Sequence, residues 1–385
     1  MKMSNSVKAV PHSNNFMKKI PFSSLVFCLT VWPSWSFFSG IGTTPLGIIL
    51  VPLTRQFVFL KKELLAMLFL VIALLLSVKN YSSLFELCKL MIGPLALIYF
   101  KNIDLHSEYF KKIALIVLGI YFFEGLLSLR YGFSGRSVTF LTQEPSHSAR
   151  AFYSFLIVCY LCNQRIATKL IITGFIFLIL NKSMSAVIFY FFFLTLLVIN
   201  YGLYRRFILW VIPLVLVFSG FLYQSSFQDM RFVEGMRRVF SYESLVERGD
   251  NSASILTYIG SRRLSQSLAG FMTSDWYGKG LGQSADLFFL DTQGGVIDLT
   301  TVSRLSSLEV NPTSYSSQLA YEAGILSLIP LFLLLLVVYK IRLNNSLLFF
   351  SFGVFQLMLF STTTSIFPWL FIGLAANASW QENIK

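Results

Sequence analysis

The chain has 385 residues, 55% of them hydrophobic and only 13% charged, with a formal net charge of +13 and a mean hydropathy of +0.67. A globular domain in water carries charges on about a quarter of its residues, so this composition excludes an ordinary soluble enzyme. It points instead to an all-α, polytopic integral membrane protein with the lipid bilayer as its first partner and no nucleic-acid partner.

The N-terminal stretch MKMSNSVKAVPHSNNFMKK is polar and basic. No small-residue cleavage signal follows the first apolar block, which therefore reads as a retained helix. Twelve apolar blocks are predicted as spans, near 20–39, 44–60, 64–78, 83–100, 113–129, 149–162, 168–181, 184–200, 207–223, 318–339, 347–361 and 365–380. Each is close to the length of helix that crosses about 30 Å of hydrocarbon. A chain in lipid must pair its own backbone, so spans are helices.

Placing the N-terminus inside puts Lys18, Lys19, Lys61, Lys62, Lys101, Lys111, Lys112, Arg165, Lys169, Arg205, Arg206, Lys340 and Arg342 on the inner side. That agrees with the excess of positive charge found on cytoplasmic loops, and both termini come out cytoplasmic. Domain organisation follows: helices one to nine over 1–223, a large outer loop over 224–317, and helices ten to twelve over 318–385. Inner connections are short, and no Walker A sequence occurs, so chemistry driven by a cytoplasmic nucleotide is not expected.

Outer segments carry ten arginines and three lysines, whereas inner ones carry five arginines and twelve lysines. The planar arginine fork suits bidentate phosphate binding. The bland alternative pairs these arginines with the ten acidic residues of their own loop. Within the loop, 228–240 and 252–272 show apolar residues at helical spacing and carry the pairs Arg237–Arg238 and Arg262–Arg263. Both read as amphipathic helices lying on the membrane or over the bundle. WYGKGLGQS (276–284), with Gly278, Gly280 and Gly282, reads as a turn, and 292–305 as a turn and a short strand.

Few ionisable residues fall inside spans: Glu86, Lys89 and Glu124, with Arg55 near an inner end. Glu86 and Lys89, three apart, share a helix face and are expected to pair. These and Glu124 point to a polar chamber near the outer surface. In FLTQEPSHSAR (140–150), Pro145 suits the first position of a helix and Glu144 its N-cap. The same helix start, with Arg150 one turn in, is an anion site. His147 is the one histidine on the outer side, since His12 and His106 fall inside, and it is a candidate general base. The competing reading, and the commoner one for a lone histidine in an outer loop, is a solvated side chain. Cys159 and Cys162 read as packing residues, not metal ligands. No metal and no cofactor is expected.

Several of these segments, in this order, resemble the bacterial O-antigen polymerases and ligases. Gly135–Arg136 followed by Glu144–Pro145–Ser146 is similar to the family's outer loop before a span. SRRLSQSLAGFMTSDWYGKGLG (261–282) resembles its arginine helix and glycine turn, NPTSYSSQLAYEAGILSLI (311–329) its entry into the next span, and LNKSMSA (180–186) its serine-arginine turn. The resemblance implies a glycosyltransferase of the inner membrane that moves glycans from a polyprenyl pyrophosphate on the outer face, with a flippase and a chain-length regulator as further partners. It implies pyrophosphate-binding roles for Arg136, Arg150 and Arg263. Spacing adds Arg237, Arg238 and Arg262. Two departures matter. Asn311, Pro312 and Thr313 stand where ligases carry histidine, which favours polymerase over ligase. The serine-arginine turn holds Lys182 but no arginine. Glu144, His147 and Glu322 remain as candidates for the base. A flippase or other transporter is the rival class.

Overall fold

A computed structural model describes residues 22–31, 47–104, 108–127, 145–181, 183–201, 262–301, 310–339, 344–361 and 365–377. Regular structure there is helical, with no strand among the described residues. The helices are α1 (Phe22–Val31), α2 (Gly47–Leu50), α3 (Lys61–Leu76), α4 (Tyr81–Lys101), α5 (Glu108–Leu127), α6 (Pro145–Cys162), α7 (Ala167–Asn181) and α8 (Met184–Tyr201). After these come α9 (Arg262–Met272), α10 (Ser284–Asp291), α11 (Tyr315–Ala323), α12 (Leu328–Val338), α13 (Asn344–Leu359) and α14 (Phe367–Ala376).

Two of the expected spans are interrupted, and the cause is local. In 44–60, helix α2 runs into a 3₁₀ turn at Val51–Leu53, and Thr54 is extended. Pro52 brings no amide to continue the ladder. In 318–339, Gly324 at φ +89 separates α11 from the apolar run Ile325–Val338. Tyr81–Lys101 and Gln164–Asn181 are long and apolar enough to cross a membrane. Large apolar side chains exposed along α3 (Leu64, Leu68, Leu75) and α12 (Ile329, Leu336) are compatible with membrane association. Water would not stabilise such stripes.

Helix α4 is the spine. Asn80 caps it by accepting from the Ser83 amide at 2.9 Å. Pro94 lies inside it and removes the amide that would reach the Leu90 carbonyl. The Tyr315 hydroxyl of α11 donates to that carbonyl at 2.9 Å instead, so the proline creates the acceptor that anchors α11. On the same helix, Gly93 lets the Trp369 ring of α14 lie against the backbone; any side chain at 93 would overlap it. The Trp369 ring in turn meets that of Tyr315 edge-on at 5.0 Å. One apolar core packs α1, α5, α6, α7 and α8 on this spine, with Phe152 stacked on Phe177 at 3.7 Å. A second packs α3, α11 and α12 on it.

Contacts sort the helix ends. Glu63 at the start of α3 accepts from the Leu60 amide and pairs with Lys101 at the end of α4. Phe27 touches both Phe100 and Phe110, so the end of α4 and the start of α5 share a level. At the opposite end, Ser148 of α6 donates to Glu124 of α5 at 2.8 Å, and Gly125 faces Leu180 of α7. The end of α3 joins the segment 275–284 there, through the Leu281 amide on the Ser77 carbonyl at 3.0 Å. This second end is the one the charge rule assigns to the outer face.

Candidate functional site

The segment that reads as a glycine turn is one. Gly278, Gly280 and Gly282 have φ of +76, +107 and +84, a region that favours glycine. Between them the turn meets α11 and the break after it. Lys279 and Gly280 donate their amides to the carbonyls of Tyr321 and Glu322 at 3.0 and 2.8 Å, and Ile325 donates to the Asp275 carbonyl at 3.0 Å. Gly278 and Gly324 lie backbone to backbone, and a β-carbon on either would overlap the other's strand of chain. On its far side the turn is tied to the α3–α4 connection. Ser83 donates to the Leu281 carbonyl at 2.7 Å and Lys79 Nζ to the Lys279 carbonyl at 2.5 Å. The glycines therefore exist so that two backbones can touch while a third segment closes over them.

What this buttress positions is Glu322. Because α11 ends at Ala323, Glu322 lies on a polar helix ahead of the apolar run Ile325–Val338, level with the α3–α4 connection. It is fully buried. Its Oε1 accepts from Ser284 Oγ at 2.5 Å and from Gln318 Nε2 at 3.1 Å, whereas Oε2 has no hydrogen-bond partner. Desolvation raises its pKa, against the lowering effect of Ser284, the Gly282 amide and Gln318, and Glu86 adds a further upward push. Glu86 pairs with Lys89 at 2.5 Å, as their spacing predicts, and its Cγ stands 3.3 Å from where a β-carbon of Gly282 would be. A second network holds the exposed side of the turn. Lys279 reaches Asp275 at 2.9 Å and Asp291 at 3.7 Å, and Tyr321 donates to Asp291 at 2.6 Å. The hydrogen bond to Asp275 raises the Lys279 pKa.

Helix α9 borders the other end of α11. Gly270 packs on Pro312 and Ser317. The Thr313 hydroxyl donates to the Arg263 carbonyl at 2.6 Å, and Ser267 donates to the Leu359 carbonyl at 3.0 Å. So Thr313 clamps helix α9.

The other site expectations divide clearly. Arg262 is the first residue of α9, and the half-buried Arg263 follows it. Pro145 does open α6, with His147 half-buried in its first turn and Arg150 buried one turn in. Glu124 accepts from Ser148 at this helix start, and the Glu86–Lys89 pair lies beside the glycine turn. Arg136, Glu144, Lys182, Arg237 and Arg238 lie outside the described residues, as does the proposed helix 228–240. The short strand expected within 292–305 is absent from its described part: Asp298 caps a turn by accepting from Thr300, and Leu299–Thr301 forms a 3₁₀ turn. Sequence reading missed Ser284, Gln318 and Tyr315. Gln318 was visible in principle, being four residues before Glu322 on a helix, where side chains meet. Ser284 gave no such signal. All four cysteines are free thiols, and among the described residues no group of three His, Cys, Asp or Glu could hold a metal ion. No family model, curated protein or solved structure matches the chain.

Proposed function

We propose that this chain is a polymerase of lipid-linked oligosaccharide repeat units, a multi-pass inner-membrane glycosyltransferase of about twelve spans working on the outer face. One observation carries the reading. Three motif segments — the arginine helix α9, the glycine turn that follows it directly and the polar helix α11 further along the chain — are folded into one unit at one end of the bundle. A transporter has no evident use for that unit, because its polar residues belong at mid-membrane between paired half-helices.

In the proposed reaction an acceptor sugar hydroxyl attacks the anomeric carbon of the donor glycan. The new C–O bond forms as the bond to the lipid pyrophosphate breaks, with the electron pair leaving on phosphate. Arginines at this end, Arg150 and Arg263 among the described residues, stabilise that developing charge. The hydroxyl proton goes to a carboxylate or imidazole. His147 and Glu322 are the described candidates, and Glu144 is the third.

The test is a deletion strain complemented with the wild-type gene or with Arg263→Ala. Loss of the long surface-glycan ladder with single capped units retained, restored by wild type and not by a normally expressed Arg263→Ala, is the expected outcome. Loss of all surface glycan would favour a flippase, and a full ladder from Arg263→Ala would remove that arginine from the site.

A further inference from the structure

The glycine turn presents two aromatic side chains to the surroundings: Trp276 is 65% and Tyr277 84% exposed, and Tyr81, at the start of the neighbouring α4, is 91% exposed. Their exposure is not looseness. The Trp276 carbonyl accepts from the Leu326 amide and Tyr277 backs onto Gly324, so the backbone that carries them is fixed to the top of an apolar helix. Below them Leu326, in the 3₁₀ turn that leads into α12, and Ile329, Leu333 and Leu336 on α12 are all exposed, and their spacing of three and four puts them on one face. On α4, Leu84 and Phe85 are exposed one turn below Tyr81. The apolar stripe thus runs up the bundle and ends in Trp and Tyr, beside Lys79 and Lys279. That succession — apolar, then amphipathic aromatic, then lysine — is the order in which a bilayer changes from acyl chain to headgroup.

We infer that Trp276, Tyr277 and Tyr81 seat the glycine turn in the phospholipid headgroup layer and so fix the height of the Glu322 socket above the acyl chains. The same turn donates the Gly280 amide to the Glu322 carbonyl, so anchoring the one sets the other. This deepens the proposed function and rests on it, because the phosphates of a lipid-linked donor lie in that same layer.

The test is spin labelling of the full chain in nanodiscs of phosphatidylethanolamine and phosphatidylglycerol, with Cys88→Ser and Cys162→Ser as background. Labels go at Tyr277→Cys and, separately, at Trp276→Cys. Collision with oxygen, which concentrates in lipid, is compared with collision with a water-soluble nickel chelate. Leu333→Cys serves as the lipid reference, and Val296→Cys, 73% exposed in the same loop, as the aqueous one. The expected result at 276 and 277 is chelate collision severalfold below that at 296, with oxygen collision between the two references. Chelate collision equal to that at 296 overturns the inference, placing the turn in water. Exclusion of both reagents also overturns it, by showing that a second copy or a bound glycan covers the rings. If the Leu333 label itself behaves like the aqueous reference, the membrane reading fails, and the proposed function with it.

Discussion

Glu322 concentrates the chemistry of this end into one side chain. A carboxyl with its two side-chain donors on one oxygen and no side-chain donor on the other is poorly compensated as an anion despite the Gly282 amide, because burial removes the water that would solvate it. Its folded-state pKa is raised above the ordinary 4.5. The sign for stability follows from linkage: the protonated form's contribution is full below the unfolded value and is lost as pH rises through the folded one. A glutamine at this position does not titrate. The melting temperature of Glu322→Gln relative to wild type should therefore climb as pH is raised from about 4 toward 8, measured in one detergent. Groups elsewhere cancel in that difference. A gap independent of pH would mean that Glu322 is no harder to ionise in the folded chain than in the unfolded one. Tyr315 makes the complementary point. Its hydroxyl serves a carbonyl that only Pro94 leaves open, so a residue in the spine decides what a residue 221 positions later in the chain must be.

Among the elements, the glycine turn and the break after α11 stabilise each other, and each glycine has its own reason. Gly294 has φ +71 with open space around it, whereas Gly278, at φ +76, would drive a β-carbon into the Glu322 carbonyl and the Gly324 amide. Alanine at 294 meets only the left-handed backbone penalty, about 1–2 kcal/mol. Alanine at 278 adds an overlap with backbone that cannot rotate away. Chemical unfolding should show Gly278→Ala destabilised well beyond Gly294→Ala; equal losses would mean that the turn and α11 do not touch as described. The turn itself was legible in the sequence, because three glycines alternating with larger residues have few other uses. Its partner was not. The run QLAYEAGILSLIPLF reads as one long apolar helix until Gly324 is seen at positive φ, and a lone glycine is tolerated inside many helices. In the described part of 292–305 no strand forms, for the opposite reason: Val296 and Ile297 look like strand formers, but Asp298 bonds the Gly294 and Thr300 amides and curls the chain locally, as short polar side chains do in turns.

For the molecule as a whole, apolar periodicity carried most of the helices, because helix length and apolar content are local properties. The assembly of the site was not legible, because it depends on backbone contacts between segments as far apart as Ser77 and Leu281. The structure adds one constraint that the sequence lacked. Ser77, Glu124, Ser148, Leu281 and Glu322 belong to one end of the bundle, and Glu63, Lys101 and Phe110 to the other. Any topology must keep each set on its own side, so a single error in span counting becomes detectable. The lysines of Lys61–Lys62, Lys101 and Lys111–Lys112 all fall in the second set's segments, and positive charge resists export. Alkaline phosphatase fused after Thr292 should accordingly be active, and a fluorescent protein that folds only in the cytosol should light up when fused after Asn102. The reverse pair would invert the whole molecule and move the Glu322 socket to the cytosolic side, away from any substrate presented outside. Activity from both reporters on one side would contradict the packing of α3 against α4, since the Glu63–Lys101 pair and the Ser77–Leu281 bond hold the opposite ends of those two helices.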